Sequence, residues 1–138
     1  MIATDGSEGA DRALDVAANL AKATGSELFV LTVGAHLSSD EMMKLARAEK
    51  DLGAALNSIS NRIVAEAKKR AREIGVASVK VAIAWGDAAE EIIKAAQREE
   101  IDAIVVGRRG RGRLAGLLLG SVSQKLASLA PCVVVVVP

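Results

Sequence analysis

The sequence predicts one α/β domain, an open parallel five-stranded sheet with helices on both faces. Strand-like and helix-like segments alternate over all 138 residues, which is typical of parallel sheets whose strands are linked by helices. Some strand-like segments, such as 27–33 and 132–137, are almost wholly apolar, as expected for strands buried on both faces. A chain of this length is about one domain, so we treat 1–138 as a single unit.

The first strand and helix are predicted from residues 1–25. A short apolar segment, 1–4, stops at the turn sequence Asp5-Gly6-Ser7. Apolar residues then recur at helical spacing from Ala10 to Ala21, with polar residues off that face. We expect this helix to end at Thr24, because Gly25 readily adopts the left-handed conformation that closes many helices.

The second strand, 27–33, leads into a loop that contains His36, the single histidine. One histidine cannot build a metal site alone. Ser38 and Glu41 have the spacing of a capping box and predict a helix that reaches about Ile74. Such a helix is long for a globular domain, so we expect its part before Gly53 to project or to break there.

The second half of the chain continues the alternation. Asp87 and Glu90 form another capping box after a turn at Gly86. The predicted elements are a strand over 78–85, a helix carrying Ile92, Ile93 and Ala96, a strand over 102–106, a helix from Ser121 through Ser128 and a strand over 132–137.

The predicted topology places two loops at one crevice. With right-handed crossovers and a strand order of 3-2-1-4-5, the winding reverses between strands one and four. Ligands of such sheets bind at this reversal, beyond the carboxyl ends of the strands. The loops that begin there contain residues 4–7, after strand one, and 107–113, after strand four.

The loop after strand four has the glycine spacing of a phosphate site, although it matches neither the P-loop nor the dinucleotide fingerprint. Gly107 ends a strand, where a missing side chain lets a ligand approach the backbone. A positive φ at Gly110 would turn successive N–H groups into an anion nest. Gly120-Ser121 begins a helix, whose free N–H groups favour phosphate, with the Ser121 and Ser123 hydroxyls as further donors. A glycine-rich connector without a ligand is the alternative interpretation.

The charged residues at the crevice have more than one interpretation. The arginines at 108, 109, 111 and 113 can pair with phosphates or merely keep an exposed loop soluble; we take Arg108 and Arg109 as binding candidates. Asp5 can cap the following helix, orient a ribose hydroxyl, or help hold a metal on the phosphates.

The composition disfavours other functions. A net charge of +1 and only two aromatic residues, Phe29 and Trp85, count against nucleic-acid binding through the arginine-glycine segment. The single Cys132 excludes an internal disulfide and is predicted to be a buried hydrophobe rather than a reactive thiol. No apolar segment reaches the ~18 residues of a membrane span, and 1–7 lack a signal-peptide pattern. We therefore expect a cytoplasmic protein.

The segments "ATDGSE", "LTV" and "IVVGRRGRGRLAGLLLGSVSQKLASLAPCVVVVV" together resemble the universal stress protein family over the whole chain. The glycine pattern is similar to the ATP-binding signature of one branch of that family, which has a Rossmann-like, adenine nucleotide alpha-hydrolase-like fold. Two departures are the short first strand and the absence of a proline after Cys132.

The resemblance implies an ATP-binding regulatory protein of the stress response, holding ATP, ADP or AMP, with Mg²⁺ accompanying the nucleotide. It assigns Ala3, Thr4 and Asp5 to the adenosine, the Val33 backbone to the adenine, Gly107, Arg108 and Gly110 to the ribose and phosphates, and Gly120, Ser121, Val122 and Ser123 to the phosphates. The protein that it regulates is not identified by the sequence.

Two further expectations concern turnover and assembly. The phosphate loop lacks a lysine and offers no general base besides Asp5, so we expect ATP hydrolysis to be slow or absent; a slow ATPase or phosphotransferase is the alternative.

Valines 133–137 form an edge strand in the predicted order, and an exposed valine edge invites aggregation. Pairing of this strand in a homodimer, as the resemblance also implies, would remove that hazard.

Overall fold

The computed structural model describes residues 1–34, 43–44, 47, 52–111 and 118–138. The predictions for His36, for the capping box at Ser38 and Glu41, and for Arg113 lie outside these residues. The predicted projection or break before Gly53 falls mostly outside them as well.

Five strands and four helices alternate over residues 1–34, 52–111 and 118–138, and residues 43, 44 and 47 are helical as well. Their bounds are β1 Ile2–Ala3, α1 Glu8–Thr24, β2 Leu28–Gly34, α2 Leu52–Ile74, β3 Val79–Trp85, α3 Ala88–Arg98, β4 Ala103–Gly107, α4 Ser121–Leu129 and β5 Val133–Val137. Every predicted element is present at least in part, and most of the described bounds agree with the prediction to within one residue.

All five strands are parallel and lie in the order β3-β2-β1-β4-β5, which confirms the predicted topology. The two-residue strand β1 is central, since Ile2 is in register with Val30 of β2 and with Val105 of β4. Apolar side chains cover both faces of the sheet. Helices α1 and α2 cover one apolar cluster around Leu14 and Val30, and α3 and α4 cover another around Leu31 and Leu126.

Caps fix where the helices start and stop. Ser7 is the N-cap of α1, and its hydroxyl accepts the N–H of Ala10 at 3.3 Å. Asp5 is therefore not the N-cap, and that interpretation is wrong. The helix ends at Gly25 with φ of 65°, as predicted. Asp87 caps α3 by accepting the N–H of Glu90 at 3.1 Å.

Candidate functional site

The two loops predicted to converge do so beside the central strand. Ala3 is in register with Val106, so Thr4 and Asp5 leave β1 next to the point where Gly107 ends β4. The N–H of Thr4 donates to the carbonyl of Leu31 on β2 at 2.9 Å, which fixes the start of the turn. The crevice thus has β1 in the middle and the β4–α4 loop on one side.

Asp5 joins the two loops through both carboxylate oxygens. Oδ1 accepts the N–H of Ser7 at 2.9 Å, and Oδ2 accepts the N–H of Arg111 at 3.0 Å. Hydrogen bonds to a carboxylate are stronger than bonds between neutral groups. An N–H group next to Gly110, that of Arg111, therefore already donates to an anion of the protein itself.

The glycines at 107 and 110 both have packing reasons within the protein. A Cβ on Gly107 would lie 2.8 Å from the carbonyl oxygen of Gly9, so its missing side chain lets α1 contact β4. Gly110 does not have a positive φ, and that prediction is wrong. A Cβ on Gly110 would instead overlap Oδ2 of Asp5.

The amino terminus of α4 faces this loop without a capping side chain. Gly120 is the N-cap, and no side chain among the described residues accepts a cap hydrogen bond there. The N–H of Gly120 donates to the carbonyl of Arg108 at 2.9 Å. The next N–H groups, of Ser121 and Val122, have no acceptor inside the helix because they lie in its first turn. This end of α4 therefore offers N–H donors and the positive end of the helix dipole.

Ser123 does not present its hydroxyl to a ligand in this structure. The side chain is buried, and its Oγ donates to the carbonyl oxygens of Gly107 at 2.8 Å and Arg108 at 3.1 Å. These bonds hold α4 against the end of β4, and the phosphate contact through this hydroxyl stays a prediction. The Ser121 side chain is exposed and retains the predicted position.

The arginines that fall within the described residues, Arg108, Arg109 and Arg111, all have exposed side chains. The backbone N–H of Arg108 donates to the carbonyl of Val137 at 2.6 Å, so only its guanidinium can approach a ligand. The Arg111 guanidinium lies over the β1–α1 turn, where a Cβ on Gly6 would be 3.4 Å from its Nη2. At least one positive charge, that of Arg111, therefore lies over the β1–α1 turn.

The residues predicted to contact the adenosine lie at the carboxyl ends of β1 and β2. Thr4 is buried and its Oγ1 accepts the N–H of Gly6 at 3.2 Å. Val33 lies on β2, two residues beyond Leu31, the partner of Ala3. Its side chain packs into the core beneath α3, and its backbone lies one residue before the carboxyl end of β2.

Gly9 was missed by the sequence reasoning. It is the second residue of α1, and a Cβ there would lie 2.8 Å from the carbonyl oxygen of Arg109. A glycine in the first turn of a helix is unfavourable unless packing requires it, and that was the available signal.

Other site types receive no support from the described part of the chain. Its cysteine, aspartate and glutamate side chains form no group of three or more that could hold a metal ion. None of its helices is both long and apolar enough to cross a membrane. A cleft of about 380 Å³ lies between α1 and α2 and is lined by residues such as Thr4, Gly6 and Ile63, but none of its lining residues comes from 107–111 or from α4.

Comparison with known proteins identifies close relatives. A family model described as "Universal stress protein family" matches residues 1–138. Universal stress protein YxiE of Bacillus subtilis is 34% identical over 143 residues, covering 99% of this chain and 96% of that protein. The solved universal stress protein UspA from Lactobacillus plantarum has a TM-score of 0.78 at 25% identity, covering 99% of this chain and 96% of that one. A universal stress protein solved in complex with cAMP has a TM-score of 0.75 at 29% identity, covering 99% and 94%.

Proposed function

This chain belongs to the universal stress protein family, and from that premise we propose that it is a regulatory protein that binds an adenine nucleotide. The observation that carries the proposal is the amino terminus of α4, where no side chain among the described residues makes a cap hydrogen bond. The Gly120 N–H and the Ser123 hydroxyl hold this end of the helix against the end of β4 and the β4–α4 loop. A related protein, 29% identical over nearly the same length, was solved in complex with cAMP, which supports a nucleotide of this class.

The residue roles follow from where these groups lie around the amino terminus of α4. The N–H groups of Ser121 and Val122 bind phosphate oxygens, because helix amino termini provide both donors and a favourable dipole. The exposed guanidinium groups of Arg108 and Arg109 neutralise the phosphates. Gly120 keeps this surface free of a side chain.

The adenosine lies along the ends of β1 and β2 in this proposal. Ala3, Thr4 and Asp5 line the ribose side, and the Val33 backbone contacts the base. Each Asp5 oxygen accepts one N–H and keeps a further lone pair, which suits a ribose hydroxyl better than a metal ion. We therefore propose that Mg²⁺ is held mainly by the nucleotide phosphates.

ATP is the proposed ligand, retained rather than rapidly hydrolysed. Phosphoryl transfer needs positioned charge and an oriented nucleophile, and both oxygens of Asp5, the single carboxylate candidate for a base, already accept backbone N–H groups. Steady-state ADP release should stay below about one turnover per minute. Multiple turnovers per minute that disappear in Asp5→Ala would favour the alternative, an ATPase or phosphotransferase.

Binding is tested by titration calorimetry with ATP and Mg²⁺ on the wild type, Gly120→Val and Ala127→Val. A valine at 120 places methyl groups over the helix amino terminus and should weaken binding at least about tenfold, or ~1.4 kcal/mol. Ala127 is on the exposed part of the same helix, so its valine variant should bind like the wild type. Absence of binding by any adenine nucleotide, including cAMP, would reject the proposal.

We also propose that the protein is a homodimer through β5. This strand is at the edge of the sheet, and Val133 at its start is 63% exposed. A long apolar edge is an aggregation hazard unless it is paired, and the same strand of a second subunit would pair it. Analytical ultracentrifugation at micromolar concentration should give the dimer mass; a clean monomer mass would contradict this.

A further inference from the structure

Three glycines closely contact the opposite segment where the β1–α1 turn meets the β4–α4 loop. A side chain at Gly9 or Gly107 would strike backbone atoms, and one at Gly110 would strike the end of the Asp5 side chain. A Cβ on Gly9 would be 2.8 Å from the carbonyl oxygen of Arg109, and one on Gly107 would be 2.8 Å from the carbonyl oxygen of Gly9. A Cβ on Gly110 would overlap Oδ2 of Asp5. In each case the group that a side chain would strike belongs to the opposite segment, so these glycines allow close contact between the two.

The glycine at 120 differs from these three. A Cβ there would be 3.4 Å from the carbonyl oxygen of Arg108 and 3.6 Å from the Cα of Arg109, which is close to ordinary contact. Packing within the protein therefore accounts for Gly107 and Gly110 without any ligand, whereas it does not account for Gly120. Gly107 and Gly110 therefore position the loop, whereas Gly120 leaves the amino terminus of α4 open to a ligand.

Asp5 adds a polar link at the same junction. Its Oδ1 accepts the N–H of Ser7 within the turn, and its Oδ2 accepts the N–H of Arg111 in the loop. The loop in turn holds α4, because the carbonyl of Arg108 accepts the N–H of Gly120 at 2.9 Å and the Ser123 hydroxyl at 3.1 Å. A continuous set of contacts therefore runs from the start of α1 to the start of α4.

We propose that Gly9 and Asp5 are positioning residues of the nucleotide site, an inference that rests on the function proposed above. They hold residues 108–111 against the β1–α1 turn and thereby set the direction of the α4 amino terminus before a nucleotide binds. A preorganised site loses less entropy on binding than a mobile one. Gly9 acts through the Arg109 carbonyl that its Cα approaches, and Asp5 acts through the Arg111 N–H.

Gly9→Ala tests this with Gly25→Ala as the matched control. Both exchange glycine for alanine at the ends of α1, but a Cβ on Gly25 meets nothing within 4 Å and only its φ of 65° is strained. In the ligand-free protein, Gly9→Ala should speed hydrogen exchange of the Arg111 amide about tenfold, and it should raise the Kd for ATP about tenfold. Gly25→Ala should lower Tm without changing either quantity.

Asp5→Asn provides a second variant in case Gly9→Ala fails to fold. An amide group offers one acceptor oxygen and an NH2 group with two donor hydrogens in place of two acceptor oxygens, so either Ser7 or Arg111 loses its partner. The amide proton of that residue should shift upfield in the nitrogen–proton spectrum, a signature that general destabilisation in Gly25→Ala does not produce.

The outcomes separate the two proposals. Unchanged Arg111 exchange and unchanged ATP affinity in Gly9→Ala, or unshifted Ser7 and Arg111 amides in Asp5→Asn, would overturn the positioning role. If the wild type binds no adenine nucleotide, the proposed function fails, and exchange in the ligand-free variants still decides whether Gly9 and Asp5 hold the loop.

Discussion

Gly107→Ala should destabilise the fold in the absence of any ligand. The new Cβ would lie 2.8 Å from the carbonyl oxygen of Gly9, 2.9 Å from its carbonyl carbon and 3.2 Å from the nitrogen of Ala10. All three atoms are backbone atoms of the first turn of α1, so no side chain can rotate away. Either α1 or the end of β4 has to move.

The cost follows from how firmly α1 is held. Ala13, Leu14 and Ala17 on its inner face are no more than 1% exposed, so a shift of the helix would open gaps in the core. Overpacking of this kind costs ~1–3 kcal/mol, and we expect the upper part of that range. At about 4 °C per kcal/mol for a domain of this size, Tm should fall by roughly 8–12 °C.

Differential scanning calorimetry on the ligand-free protein measures the fall in Tm caused by Gly107→Ala, and Gly120→Ala is the control. A Cβ on Gly120 comes no closer than 3.4 Å to any atom, and alanine at an N-cap costs up to ~1 kcal/mol, so its Tm should fall by about 4 °C at most. A Gly107→Ala protein within 2 °C or so of the wild type would refute the packing argument, as would an equal loss in Gly120→Ala.

Three further predictions concern neighbouring features. Ser123→Ala removes the hydroxyl that donates to the Gly107 and Arg108 carbonyls and should cost ~1–3 kcal/mol in urea unfolding; a change near zero would contradict that role. The Glu90 N–H and then the Lys125 ammonium hold the pKa of Asp87 below its ordinary value of 3.8, so this carboxylate stabilises the fold above about pH 4 and the contribution is lost as the pH falls through the lowered pKa. The Tm of Asp87→Asn should therefore fall less than that of the wild type as the pH is lowered from about 5 to 2. Parallel curves of Tm against pH for the two proteins would argue against it. Burial raises the pKa of the Cys132 thiol, so a maleimide should label it more slowly than free cysteine at pH 7.5 or so; equal rates would be inconsistent with this.

The topology was predictable because each strand is an apolar segment bounded by turn residues. The carboxyl ends of β2 and β4 were placed one residue early, since Gly34 and Gly107 have no side chain to suggest a strand. Both nevertheless join the ladder through their backbones, in register with Trp85 and Val137. Strand patterns depend on side chains, whereas strand pairing depends on the backbone.

The residues of the crevice were predictable, but several of their roles were not. Gly110 was expected to have a positive φ, a local property of glycine, whereas its actual reason is contact with Asp5 far away in the sequence. Gly9 and the Ser123 hydroxyl have the same kind of explanation, since their partners are on other segments. Such reasons depend on tertiary packing, which spacing within one segment does not contain.

The central claim is that backbone N–H groups at the start of α4 bind the phosphates of an adenine nucleotide. Titration of the isotope-labelled protein with ATP and Mg²⁺, followed by nitrogen–proton correlation spectra, tests it most directly. The account predicts saturable chemical-shift changes that are largest for the amides of Ser121 and Val122. The amides of Lys68, which is half-buried on α2, and of Arg72, which is exposed on α2, should change little. Shifts concentrated along the cleft between α1 and α2, or no saturable shift at all, would contradict it.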